Sequence, residues 1–189
     1  MAELTLPLPR DRNIFFSKQV DQASIELVQR QLLAINEHDE YLKKLYAINN
    51  LEYKPAPIKI YIDSYGGTVY QILGLVSMIE VSKTPIHTIV TGCAMSCGFI
   101  LLISGHKRFA YPRATPLYHQ VSGGGWGTLK DREDNLEEAK RLQRTIEDIT
   151  LSKTKISKKK LKEVYNGKID WYMSAKEAKE LGVVDEIIE

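Results

Sequence analysis

Apolar residues along the chain alternate between short unbroken runs and three-to-four spacing, the marks of strands and helices in turn. "RNIFFSKQV" holds a short apolar run, Ile14 to Phe16, and predicts a first strand. Asp21 is placed to cap a helix in which Ile25, Val28, Leu32 and Ile35 recur at helical spacing. The charged, tyrosine-rich residues 36–57 read as an insertion. Leu42, Leu45 and Tyr46 predict that it is partly helical, and a Pro-x-Pro break ends it. "IKIYID" is a buried strand closed by "SYGG", and "TVYQILGLVSMIEVS" is a helix with Val69, Ile72, Leu73, Leu75, Val76 and Ile79 apolar. "PIHTIVTG" is the next strand, and "SCGFILLISG" is an apolar helix stopped by Gly105, with His106 placed as its C-terminal cap. "KRFAYP" and "TPLYHQ" are short strands, and "SGGGWG" is too glycine-rich for regular structure. A long polar helix is expected from about Leu129 to Leu151, a lysine-rich one from about Lys158 to Tyr165, and a short strand at "DWYM". "SAKE" is a capping box, Ser174 with Glu177, on a helix ending at Gly182 before the closing "VVDEII". Strand–helix alternation at this spacing predicts an α/β fold with a mostly parallel sheet. No repeat or linker divides the 189 residues, so one domain spanning 1–189 is expected.

Composition narrows the classes without choosing among them. Hydrophobic residues make up 43% and charged residues 26%, the balance of a globular protein, and a net charge of +2 is too small to argue for nucleic acid or an anionic membrane. Two cysteines four residues apart make no disulfide framework, which points to a reducing compartment. "MAELTLPLPRDRN" has no apolar signal core, and "GFILLISG" is too short to span a bilayer. A cytoplasmic protein without metal or cofactor is expected. "SGGGWGTLK" lacks the Gly-Lys-Ser/Thr of a phosphate-binding loop. "KTKISKKKLKE" reads as a solvated amphipathic helix carrying Leu161, Val164 and Tyr165.

The chemistry centres on "TGCAMSCGF", which holds Cys93, Ser96 and Cys97. Cys93 and Cys97 have no further ligands at close spacing for a metal and fit as small buried residues. Ser96 follows a strand and opens a helix. A nucleophile there has unpaired backbone N–H groups at hand for the oxyanion formed on attack at a carbonyl. The plain alternative is a serine that caps the helix. A nucleophile also needs a base oriented by an acid. No Asp or Glu lies between Ser96 and His119, the last histidine, so the α/β-hydrolase order Ser–Asp–His is excluded. The order His38, Asp63, Ser96 belongs to an all-β architecture that this helix-rich chain does not match. What remains open is Ser96, His119 and a later Asp. Asp170, between Ile169 and Trp171, is expected to be shielded, as suits an orienting acid, or else to be a turn residue. His87, on an apolar strand, fits a buried hydrogen-bonded residue. A glycine N–H of "DSYGG" would be one oxyanion donor and the Cys97 N–H the other, with the Cys97 thiol turned away.

"IKIYIDSYGG", then "TGCAMSCGFILLISGHKRFAYPRATPLYHQ", a glycine-rich stretch, a long helix and "DWYMSAKEAKELGVVDEI" together resemble the proteolytic subunit of the Clp protease (ClpP), in matching order from about Arg12 to Ile188. The resemblance implies a serine endopeptidase of crotonase-like α/β fold, with repeated β-β-α units and a protruding handle at residues 121–151. On it Ser96 falls on the nucleophile, His119 on the base and Asp170 on the acid. Gly67 and Cys97 fall on the oxyanion-hole N–H donors, and Ser122, Gly123, Gly124 and Gly125 on the strand that holds the substrate peptide. Self-association into heptameric rings, stacked as a tetradecamer, is implied, as is an AAA+ unfoldase that feeds polypeptides to an internal chamber. Departures are Tyr65 for the proline before Gly-Gly, Val121 for the proline after His-Gln, Ile169 for an arginine before the acid, a short N-terminus and the 36–57 insertion. A non-catalytic ring subunit and a crotonase-type acyl-CoA enzyme are the alternatives.

Overall fold

The structure, a computed structural model, describes residues 11–124 and 126–189. The N-terminal segment ahead of residue 11 and Gly125, expected on a substrate strand, lie outside the described residues. The elements in chain order are β1 (Asn13–Phe16), α1 (Gln22–Ile48), β2 (Ile58–Ser64), α2 (Val69–Val81), β3 (Ile86–Met95), α3 (Cys97–Ser104), β4 (Lys107–Ala110), β5 (Thr115–Tyr118), α4 (Leu129–Lys153), α5 (Lys158–Gly167), β6 (Trp171–Tyr172), α6 (Ala175–Glu180) and β7 (Glu186–Ile187). The result is an α/β fold on a parallel sheet, as the alternation of periods predicts.

Five strands lie side by side in the order β1-β2-β3-β4-β7, with every neighbouring pair parallel. β3 is the pivot because it is long enough to serve two partners along one edge. Its first half, His87 to Val90, pairs with β4, and its second half, Cys93 to Met95, pairs with β5. β5 then pairs antiparallel with β6. The core side of β2 is an unbroken set of isoleucines, Ile58, Ile60 and Ile62, with Lys59 and Asp63 facing outward. That alternation sets the register, since a slip of one residue would bury the charges. α3 is buried along its whole length, which makes it the central helix of the layer packed on the sheet. One cluster of buried apolar residues runs from Ile14 to Val184.

The first helix corrects the sequence expectation. α1 does not end near Ile35; it continues unbroken to Ile48, so the insertion begins as three further turns of the same helix. A buried ion pair holds it. The Arg12 guanidinium donates to both carboxylate oxygens of Asp39, at 2.9 Å to Oδ2, and to the Ala56 carbonyl at 2.9 Å. Tyr53 Oη and Thr84 Oγ1 donate to the same carboxylate, each at 2.6 Å. These bonds tie the helical extension, its return loop and the start of β1 to one point. A second correction concerns His106. Gly105 has φ −61° and makes no left-handed cap. His106 instead crosses to β3, where its Nδ1 accepts the Ile86 N–H at 2.8 Å and its own N–H donates to the Ile86 carbonyl at 2.8 Å. Burial, then Lys153, lowers its pKa.

α4 starts at a capping box made by Thr128 and Asp131. From Leu129 to Glu137 every residue is exposed, and only from Leu142 onward does the helix bury a face. Trp126, just ahead of it, is 93% exposed. Among the described residues no helix is long and apolar enough to cross a membrane.

Candidate active site

Ser96 stands where β3 turns into α3, and its backbone is strained. Its φ is 53° and ψ is −119°, a conformation that residues with a Cβ rarely adopt. Its side chain makes no capping hydrogen bond. The capping explanation of this serine therefore does not hold. The turn is fixed by the backbone on both sides: the Ser96 N–H donates to the Leu117 carbonyl of β5 at 3.1 Å, and the Ser96 carbonyl accepts from Phe99 N–H at 3.0 Å. Cys97 is the first residue of α3, a position where N–H groups have no intrahelical acceptor.

The "SYGG" turn lies directly against this corner. Gly66 has φ 94°, and a Cβ there would stand 2.6 Å from the Met95 carbonyl oxygen, 2.8 Å from Ser96 Cβ and 2.9 Å from Cys97 N. Gly67 forms a one-residue parallel bridge with Val20, through bonds made by its neighbours: Val20 N–H to Gly66 O and Thr68 N–H to Val20 O, both 2.8 Å. In such a bridge the N–H and C=O of the central residue face away from the partner strand. The Gly67 carbonyl accordingly accepts from Cys97 Sγ at 3.1 Å. Both glycines are required here, because a side chain at Gly67 would run into Val20 O at 2.2 Å.

His119 follows β5, two residues after the carbonyl that holds Ser96. Ser96, Cys97, Gly67 and His119 line one cavity of about 50 Å³, together with Ser122 and several apolar side chains. Asp170 reaches the site through sheet register. β5 and β6 pair Tyr118 with Trp171, so the next antiparallel step sets His119 opposite Asp170. His119 Nδ1 and Asp170 Oδ1 are 4.0 Å apart, beyond hydrogen-bond length. The Asp170 side chain is 64% exposed, so the expected shielding by Ile169 and Trp171 is not found. β6 is a two-residue edge strand, and Ile169 is itself exposed.

The neighbouring residues sort as follows. The Cys97 thiol does not turn away, since it points at the Gly67 carbonyl; burial pushes its pKa up to about 11, against the Gly67 and Ser96 contacts. Cys93 is buried, its N–H donates to Asp63 Oδ1 at 2.9 Å, and burial followed by the Asp63 carboxylate pushes its thiol up to about 11. Neither cysteine is a ready thiolate. His38 packs on Tyr41 and His87 on Phe109, with the pKa of His87 lowered by burial and then by Lys107 and Lys59. Ser122, Gly123 and Gly124 are exposed and irregular. Sequence reasoning missed Val20, which bridges to Gly67, and Tyr118, whose only local signal was its place beside His119.

Fold and site together define an α/β protein of the serine-hydrolase kind, with a strained serine between a strand and a buried helix and a histidine across a small cavity. The family model of the Clp protease matches residues 2–189. The ATP-dependent Clp protease proteolytic subunit of Bacteroides fragilis is 32% identical over 183 residues, covering 96% of this chain and 81% of the relative. That of Deinococcus radiodurans is 32% identical over 184 residues, covering 96% and 82%, and that of Dehalococcoides mccartyi 30% over 184 residues, covering 96% and 84%. The chain belongs to the Clp protease family and is a serine-type peptidase.

Proposed function

We propose that the chain is the peptidase subunit of a self-compartmentalising protease that cuts unfolded polypeptides and short peptides at Ser96. The observation that carries this reading is the strained Ser96 backbone, φ 53°, with a hydroxyl that caps nothing and shares a cavity with His119. Strain of this kind persists where the surroundings over-determine a functional geometry. Ser96 Oγ attacks the peptide carbonyl while His119 takes its proton, and His119 returns the proton to the leaving amine. Water then hydrolyses the acyl-enzyme by the same proton route. Asp170 orients the imidazole. The N–H groups of Gly67 and Cys97 stabilise the oxyanion, which requires donors that converge on one point. The close approach of Gly66 to Cys97 N supports this placement.

The same reading takes in the whole chain. A single core from Ile14 to Val184 supports one crotonase-like domain with the 36–57 insertion. The exposed opening turns of α4, Leu129 to Glu137, with Trp126 before them, support a handle at 121–151 that meets a second ring. Ser122 to Gly125 would hold the substrate as an added strand. Heptameric rings, a stacked tetradecamer, an AAA+ unfoldase as partner and a cytoplasmic location are part of this reading, and membership of the Clp protease family supports it. The names of the relatives call their activity ATP-dependent.

A second reading, a ring subunit without catalysis, draws on the 4.0 Å gap between His119 and the exposed Asp170. Fluorophosphonate labelling decides between the two. The expected result is an adduct on Ser96 and, in Ser96→Ala, loss of peptide cleavage by at least about 10³-fold. An assembled sample that takes no adduct, with control enzymes reacting, establishes the second reading.

A further inference from the structure

The His119 ring has no hydrogen-bond partner among the described residues, since Asp170 stands 4.0 Å away. What places the imidazole is therefore the main chain on either side of it. On one side β5 ends at Tyr118, which pairs with Trp171 and packs its ring against Phe99 at 5.6 Å. On the other side the Val121 N–H donates to Oε1 of Gln143, on α4, at 2.7 Å. Among the described residues this is the only hydrogen bond to the main chain of residues 119–124. Val121 also packs against the core and lines the cavity that holds Ser96 and His119. Gln143 is 7% exposed and belongs to the buried face of α4, with Leu142, Ile146 and Thr150. Packing alone favours an apolar side chain there, because a buried amide is costly unless its groups are paired. Its two ends serve opposite partners: Oε1 accepts from Val121, and Nε2 donates to Glu147 Oε1 at 2.7 Å. A donor on one side and a carboxylate on the other fix which way the amide points. Ile146, three residues on along the helix, lines the same cavity.

We infer that Gln143 is a positioning residue for the proposed base: by accepting the Val121 N–H it holds the main chain that carries His119, and so sets where the imidazole stands against Ser96. The inference rests on the reading of Ser96 as nucleophile and His119 as its base. Each residue has two soft backbone dihedrals, so a chain anchored at one end swings freely beyond the anchor. Tyr118 and Val121 bracket His119 and Gln120 between two anchors, and that freedom is removed. The gain is large for a base, because a misplacement of about 1 Å at a reacting group costs about 10²-fold in rate. The second anchor comes from α4 and not from the sheet, so the placement of the base depends on how α4 sits.

Gln143→Met keeps the length of the side chain and removes the acceptor. In the full-length protein, well below its thermal midpoint, it should lower kcat for a short peptide and the rate of fluorophosphonate labelling at Ser96 by one common factor, about tenfold or more, with KM changed less than about threefold. Val121→Pro removes the donor and fixes φ by itself. In that background the Gln143→Met step should cost less than about twofold, because removing both partners leaves no buried group of the pair unmatched. A role in packing alone gives the same loss in both backgrounds. Gln143→Glu made together with Glu147→Gln keeps both bonds with their charges exchanged, and needs no proline. It should label Ser96 at least about fivefold faster than Gln143→Met. Labelling at the wild-type rate in Gln143→Met, a loss confined to KM, a loss that the proline background leaves unchanged, or an exchanged pair no faster than Gln143→Met overturns the inference. The nucleophile reading fails separately, if Ser96→Ala keeps cleaving peptides.

Discussion

Replacing Ser96 by glycine and by alanine separates strain from chemistry at the proposed nucleophile. Serine holds φ 53° and ψ −119° with no capping bond from its side chain. A non-glycine residue in such a region costs about 1–3 kcal/mol. Alanine keeps the strain and loses no cap, so Ser96→Ala should unfold within about 0.5 kcal/mol of the wild type, the range of substitutions that break nothing. Glycine removes the strain but makes the unfolded chain more flexible, at about 0.4–1 kcal/mol. The difference leaves Ser96→Gly more stable than the wild type by about 1 kcal/mol. With a urea slope of about 2–3 kcal/mol per molar, the midpoint rises by about 0.3–0.5 M. All three proteins must be compared at one protomer concentration, since association adds to apparent stability. Both variants lose peptide cleavage. An ordinary capping serine behaves in the opposite way, with alanine costing about 0.5–2 kcal/mol and glycine a few tenths. A glycine variant less stable than the wild type, or an alanine variant that loses a kilocalorie or more, refutes the claim that the fold holds Ser96 against its preference.

Other outcomes are open to the same assays. Gly66→Ala places a methyl group 2.6–2.9 Å from Met95 O, Ser96 Cβ and Cys97 N at φ 94°, and should cost about 2–4 kcal/mol. It should also slow fluorophosphonate labelling about 10²-fold by displacing Ser96. Gly74→Ala, in mid-helix with only the flexible end of Gln29 at 3.4 Å, should instead stabilise by about 0.5–1 kcal/mol in urea and leave labelling alone. At the buried pair, Arg12→Ala should cost about 3–5 kcal/mol in denaturant melts because Asp39 is left charged and unpartnered. Burial alone would raise the Asp39 pKa, but hydrogen bonds from Arg12, Thr84 and Tyr53 outweigh it and hold the value below 3.8. The stability it supplies is therefore full above about pH 4 and lost as pH falls through that lowered value, a slope in the thermal midpoint that Asp39→Asn should flatten.

Most of the fold was legible because its strands bury one face and its helices one stripe. The isoleucines of β2 and the run Ile25, Val28, Leu32, Ile35 in α1 could be read as they stand. The helical content of residues 36–57 was legible too, from Leu42, Leu45 and Tyr46, but its unbroken continuation of α1 was not. Beyond Ile35 only Asp39 and Leu42 are buried, and a charged residue at a core position breaks the apolar period. What makes Asp39 a core residue is Arg12, 27 positions earlier in the chain, with help from Tyr53 and Thr84. Burial that rests on a distant partner leaves no local pattern.

The site divides along the same line. Ser96 and His119 were legible because each lies at the end of a predicted strand, and the pairing of β3 with β5 brings those ends together. The short strand after Asp170 was legible, but the surroundings of the carboxylate were not. Neighbours along the chain do not shield a residue on an edge strand; the next strand or helix does, and none covers β6 on that side among the described residues. The unshielded Asp170 and the exposed opening turns of α4, Leu129 to Glu137, thus share one description, residues for which this chain's own described fold supplies no packing partner. A histidine–carboxylate contact at 4.0 Å, open to water, is worth little. For Asp170 to orient His119, something must take the place of that solvent. Under the proposed assembly a second subunit would do so, which couples the geometry of the acid to the state of the ring. Ser96 and the proposed donors at Gly67 and Cys97 need no such help, because β3, α3 and the Gly66–Gly67 turn hold them from within the chain.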